Sequence, residues 1–273
     1  MRLIDFDSHF RDYLHAWLEE RQDELMDIEQ VEALMPGIYE GFLRTPAVWL
    51  EGRTPASWFE GIGGAQLVAL MLAYIAEDVP VPDALLMRLE DEGASAQRAL
   101  VALVGDDSAP EEARMLSVRL LRDMGSMEPL PLYVQWQARR EDRDDLADAA
   151  LASLEEMGED AVLPMIAALE EATDAGREAM LSILSHYPRH PEVYDSLIRL
   201  FESSPPRQAV LAAFLGRLGD ERALPALTER ALEEGLRYHD YIELRSAIEA
   251  LGGDAPEREF GADPDDAALG GLE

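Results

Sequence analysis

Between Val210 and Leu218 the apolar residues Val210, Leu211, Phe214, Leu215 and Leu218 fall at three- and four-residue spacing, which puts them on one face of an α-helix. Gly219 follows, a residue free to take the left-handed conformation that ends a helix, and Asp220 can accept hydrogen bonds from the open amides of a next turn. A second apolar-periodic run, Leu224, Leu227, Ala231 and Leu232, has Pro225 near its start, where a missing amide costs least. The pattern predicts two helices joined by a tight reversal, each with one face to bury.

The same grammar recurs. Runs ending LLRDMG at Gly125, LEEMG at Gly158, LSHYP at Pro188, LGRLG at Gly219 and IEALGG at Gly252 stop 30 to 33 residues apart. After Gly158 the chain reads EDAVLPMI, which aligns with DERALPAL after Gly219 and brings Pro164 into register with Pro225. A fixed period of this size marks a stack of helix pairs, because one pair cannot bury its apolar face alone. The second helix of each pair is predicted over 129–139, 161–171, 192–202 and 223–234. For 192–202 the buried stripe is Val193, Leu197, Leu200 and Phe201, with Tyr194 and Arg199 at its edge or outside.

Upstream the pattern is less regular. Phe10, Leu14, Trp17, Leu18 and Leu25 form a helical stripe in residues 6–26, with Asp7 or Ser8 as N-cap. Thr54 and Pro55 read as a helix start, and Trp49, Leu50, Trp58 and Phe59 are expected to fold together into an aromatic cap. Ala65 to Ala76, AQLVALMLAYIA, is apolar nearly all round and predicts a helix buried from both sides. Short helices are predicted over 83–90 and 95–104, and Pro110 opens the first clear repeat. Residues 1–63 are thus read as a helical N-terminal cap region and 64–252 as helical repeats. The acidic Gly-, Ala- and Pro-rich residues 253–273 read as a partly disordered tail docked through Phe260.

On these residues, over roughly 110–252, the chain resembles the short HEAT-like repeats of the kind found in phycobilisome lyases. The resemblance implies an all-α fold, a right-handed α–α superhelix with its second helices lining a concave binding face. Aromatic and Arg residues dominate interface energetics, so Trp136, Arg139, Tyr194 and Arg199 are the candidate partner-binding residues.

Composition narrows the chemistry. The chain has no Cys, and all 23 of its basic residues are Arg, so thiolate nucleophiles, disulfides, thiolate metal sites and every lysine-dependent reaction are excluded. Against those stand 56 acidic residues, a net charge of −33. Such a field repels phosphate, so no nucleic acid is expected as partner, whereas a basic protein or peptide is compatible with it. Neither a membrane span nor a secretory signal is visible, which gives a cytoplasmic expectation. His186 and His190 are four apart with Pro188 between them, in a loop rather than on a ligating helix. Asp5, Asp7 and His9 resemble the opening of metal-dependent amidohydrolases, but position 11 is Arg where the second His would stand. No catalytic, cofactor-binding or metal-ligating set is predicted. The expected function is a non-enzymatic protein–protein interaction or scaffold module. The alternative is a small-molecule-binding or lyase-type repeat protein with a concave pocket.

Overall fold

The computed structural model describes residues 2–21, 28–141 and 144–260. Leu25 of the first predicted stripe and residues 261–273 of the predicted tail lie outside them. The described residues are all-helical, and the chain divides into two compact units, residues 1–129 and 130–273. The predicted cap region therefore shares its unit with the first helices of the predicted repeat region.

The first unit contains α1 (Phe6–Glu20), α2 (Ile28–Arg44), α3 (Gly64–Ala76), α4 (Asp83–Asp91), α5 (Ala94–Val104) and α6 (Glu111–Asp123). Asp5, two residues ahead of Asp7 and three ahead of Ser8, the expected caps, closes the start of α1: its carboxylate accepts the Ser8 amide at 2.9 Å. The bonds from Ser8 hold that carboxyl below its ordinary range. The stripe on α1 is half-buried, and it meets α2, a helix not among those expected from the sequence, with Pro36 inside it. Phe10 packs edge-on to Tyr39 and against Phe42, and Phe6 packs edge-on to Trp49 and stacks on Phe59. The expected aromatic residues thus cluster with other partners. Leu50 and Phe59 are fully buried, but Trp49 lies against Phe6 and Phe42, while Trp58 sits under the Arg53 guanidinium.

Two expectations fail here. Thr54–Pro55 opens a series of turns and no helix. The Thr54 hydroxyl accepts the Ser57 amide, but Gly61 takes a positive φ (78°) before a turn can propagate. Helix α3 is not enclosed on all sides. Leu67, Val68, Met71 and Tyr74 are buried against its neighbours α4, α5 and α6, whereas Ala65, Gln66, Ala69 and Ala76 are exposed. The Tyr74 hydroxyl accepts the Ile4 amide at 3.2 Å, tying the N-terminal strand of chain to α3.

The second unit holds α7 (Leu130–Arg139), α8 (Asp145–Met157), α9 (Glu159–Ala168), α10 (Asp174–Leu184), α11 (Pro191–Ser203), α12 (Gln208–Leu218), α13 (Leu224–Leu232) and α14 (Tyr238–Ala250). The predicted second helices are α7, α9, α11 and α13. Gly219 is left-handed (φ 77°, ψ 17°) and its amide donates to the Leu215 carbonyl at 3.2 Å. The Asp220 carboxylate accepts the Arg222 amide at 3.0 Å, and Pro225 stands in the first turn of α13. The aligned copy differs in detail: Pro164 lies inside an uninterrupted α9, while a short 3₁₀ turn at Glu221–Ala223 precedes Pro225.

Packing follows an alternating order. From α7 to α12 each helix meets the next, as α13 meets α14, and α8, α10, α12 and α14 also pack successively on one another. Helices α12 and α14 come close at Gly216, where a Cβ would sit 2.9 Å from the Ala247 Cα. The buried stripe of α11 is Val193, Leu197, Leu200 and Phe201, as the spacing predicts, joined by Ser196. At the end of the unit Phe260 lies between Tyr238 and Tyr241, with ring centroids 5.2 and 5.0 Å away, and the Tyr241 hydroxyl donates to the Pro256 carbonyl at 2.6 Å. Phe260 is therefore the anchor the sequence predicts for residues 253–260.

Candidate interaction surface on the second unit

The surface begins with α11, whose amphipathic sequence settles which side chains point outward. With Val193, Leu197, Leu200 and Phe201 committed to the core, Glu192, Asp195 and Arg199 are exposed and Tyr194 is half-exposed. The Arg199 Nε donates to the Asp195 carbonyl one turn back at 2.8 Å, which lays the guanidinium along the helix. A groove of about 790 Å³ runs beside it, lined by Ile166, Ala167, Leu169 and Glu170 at the end of α9, Arg177 of α10, and Glu192, Asp195, Ser196, Arg199 and Ser203 of α11.

The charges in this groove divide into used and unused groups. Arg177 is saturated: its Nε donates to the Leu169 carbonyl at 3.1 Å, one terminal nitrogen to the Ala172 carbonyl at 2.9 Å, and the other to Asp174 at 2.7 Å. It is a strut fastening the end of α9 to α10. Glu170 and Glu192 are exposed and pair with no described residue, and Asp195 reaches only the Arg222 guanidinium at 3.9 Å. The groove thus presents three carboxylates whose acceptor capacity is largely open.

A second groove of about 740 Å³ lies on the other side of α10, where Arg140, Thr173, Glu178, Ser182, Arg207 and Phe214 are among its lining residues. Its cations are occupied. Arg140 donates to Gln137 at 3.1 Å and to Asp148 at 2.5 Å, and Arg207 holds Glu178 through two nitrogens. Neither guanidinium is positioned to receive an anionic ligand without giving up a carboxylate.

The four predicted interface residues do not form one patch. Arg199 lines the first groove. Tyr194 carries the Arg222 guanidinium over its ring at 3.9 Å, and Arg222 is held in turn by both oxygens of Asp220. That hydrogen bonding keeps the Asp220 carboxyl below its ordinary range and raises Arg222, while partial burial pushes the Tyr194 phenol up. One face of Tyr194 is therefore already covered from within the chain. Trp136 is half-buried with its ring 5.9 Å from Tyr133, and Arg139 is exposed in the last turn of α7, where a cation complements the helix dipole. Helix α7 packs on α8, α9 and α10, whereas α11 packs on α10 and α12, so the two pairs belong to different parts of the unit.

The groove carboxylates were not singled out from sequence, because acidic residues are too abundant for any one to stand out. For Glu170 a signal was present: no Arg lies within four residues of it, so the helical pairing that neutralises many other carboxylates here is unavailable. Among the described residues no three His, Asp or Glu side chains gather in a metal-holding group. His186 Nε2 lies 3.2 Å from an Arg217 nitrogen, and His190 stands at the N-cap position of α11 without a side-chain bond to the helix. His9 stacks flat on Trp49, centroids 3.9 Å apart, and Asp5 is engaged with Ser8, so the amidohydrolase-like residues serve packing and capping. No described helix is long and apolar enough to cross a membrane. Compared with protein-family models, curated proteins and solved structures, the chain finds no match.

Proposed function

We propose that the chain is a HEAT-like repeat protein, a right-handed α–α superhelix in its repeat region, that acts without catalysis by holding a basic segment of a partner protein along α11. The repeat reading is supported by the period of the helix stops and by the successive packing of α8, α10, α12 and α14. The observation that carries the binding reading is the groove beside α11, where Glu170, Glu192 and Asp195 are exposed and largely unneutralised while the neighbouring Arg177 is fully engaged. An extended Arg- or Lys-rich segment supplies the donors these carboxylates lack, and the surrounding field of the acidic chain steers it there.

The test is fluorescence anisotropy with labelled basic peptides and acidic peptides of matched length. Basic peptides alone should bind, more weakly as salt rises. At roughly 0.5 kcal/mol per exposed pair, the double substitution E170Q/E192Q should weaken binding about fivefold. Equal affinity for the acidic peptides, or no effect of E170Q/E192Q, rejects the reading.

A further inference from the structure

Helix α3 leaves an apolar face open in a chain that elsewhere is crowded with charge. Residues 61–76 contain no charged side chain at all, although charged residues make up 29% of the sequence. Along the exposed side of α3 a groove of about 720 Å³ is lined by Leu3 and Ile62 at one flank and by Gln66, Ala69, Leu70 and Ala73 of the helix, with Ala76 and Glu77 at its end. A soluble chain that keeps charge off such a face keeps it free for contact.

The face has the geometry of a helix–helix seam. Gln66, Ala69, Ala73 and Ala76 follow three-four-three spacing, the repeat by which one helix lies along another, and the alanines allow a close approach of backbones. Its polar groups define what lies on it. Gln66 and Glu77 are the polar residues of the groove, at opposite ends of the helix and on the same face, about 16 Å apart by helical rise. One is a neutral donor and the other a charged acceptor, placed symmetrically about the Leu70–Ala73 midpoint. An antiparallel copy of the same helix, turned about that midpoint, brings each Gln66 amide to the other copy's Glu77 carboxylate. It also sets Glu77 beside an N-terminus with no side-chain cap and no acidic residue in its first turn. The surface is complementary to itself.

We propose that this protein forms a two-fold symmetric homodimer through antiparallel pairing of α3 with α3 of a second copy. The inference is independent of the groove beside α11. One helix pair makes a small interface, so the dimer is weak and reversible. Two copies of net charge −33 repel, so salt strengthens the association by screening that repulsion, the opposite of its effect on a basic partner.

The test is sedimentation velocity on the full chain, with concentration raised to about 300 µM at low and high salt, a range that resolves weak interfaces. The expected result is a monomer–dimer equilibrium that shifts toward dimer with added salt. Ala69→Glu, on an exposed position, should weaken it at least about tenfold without loss of helical content. Gln66→Glu alone sets carboxylate against carboxylate and should weaken it as well, while the exchanged pair Q66E/E77Q should restore it. A chain that stays monomeric throughout the range overturns the proposal. So does dimerisation that salt suppresses, or that Q66E/E77Q fails to restore; monomers that instead capture a basic amphipathic peptide on this face, sensitive to A69E, assign the groove to a foreign helix.

Discussion

Replacing Gly176 by Ala tests a close backbone approach in the second unit. Gly176 is in the first turn of α10, and its amide donates to the Thr173 hydroxyl at 3.0 Å, the N-cap bond of that helix. Thr173 is itself fixed to α7: its hydroxyl donates to the Arg140 carbonyl at 2.7 Å and its amide to the Ala138 carbonyl at 3.0 Å. A Cβ on Gly176 would fall on the Gln137 carbonyl oxygen, 3.0 Å from its carbon and 3.1 Å from the Thr173 hydroxyl. The obstacle is backbone, and Gln137 is held on its other side, its amide donating to the Ala147 carbonyl at 2.6 Å. Neither helix can yield by a rotamer change. Overpacking costs about 1–3 kcal/mol and the strained cap about 1 more, against a helix-propensity gain of up to about 1 kcal/mol, leaving a net loss of about 1–3 kcal/mol. For a unit of this size that lowers the melting temperature by about 3–10 °C. Urea and thermal denaturation followed by far-ultraviolet circular dichroism measure it. Gly37→Ala, also within a helix but with nothing within 4 Å of the added methyl, serves as the control and should raise stability by up to about 1 kcal/mol. If G176A lies within about 0.5 kcal/mol of the parent, outside the range expected of overpacking, the α7–α10 approach described here is wrong.

Two further outcomes follow from the repeat turn and from the tail. Asp220 is depressed below its ordinary pKa in the folded chain, so its contribution is present at neutral pH and is lost as pH falls through that depressed value. Asp220→Ala should therefore cost about 1 kcal/mol near pH 7 in urea titrations, and the difference from the parent should vanish in acid; a gap that persists there refutes the assignment. Phe260→Ala removes the ring held between Tyr238 and Tyr241, and limited proteolysis should then cut the chain after Leu251 several-fold faster, by a loss of about 1–2 kcal/mol of docking, with no change in the helical signal.

What could be read from the chain depended on whether the deciding interaction was local. Helix faces and stops are local: the α11 stripe, the left-handed Gly219 and the cap at Asp220 follow from spacing and residue type alone, and the structure has each of them. Helix α2 shows where a local rule misleads. It is not expected from the sequence, and Pro36 inside it removes a hydrogen bond, yet the aromatic face of Tyr39 and Phe42 packs against Phe10, and that burial outweighs one missing amide bond. Thr54–Pro55 errs the other way, with sound helix-start chemistry followed by a segment whose Trp58 and Phe59 are drawn to different neighbours.

The candidate surface was less legible for a different physical reason. In a chain with 56 carboxylates, the informative property is not which residues are acidic but which of them lack a cation, and pairing is decided by contacts distant in sequence. Arg222 reaches back to Tyr194 and Asp195, and Arg207 to Glu178; no spacing rule applied to α11 alone anticipates that Tyr194 is covered while Glu192 is open. The aromatic and Arg residues chosen for interface propensity mark where the chain satisfies itself as readily as where it binds another. The same reasoning applied to α3 gives the converse. There the apolar run from Ala65 to Ala76 reads from sequence as burial from both sides, because an all-round apolar helix is ordinarily enclosed, and only the positions of its neighbours reveal that one side has no cover.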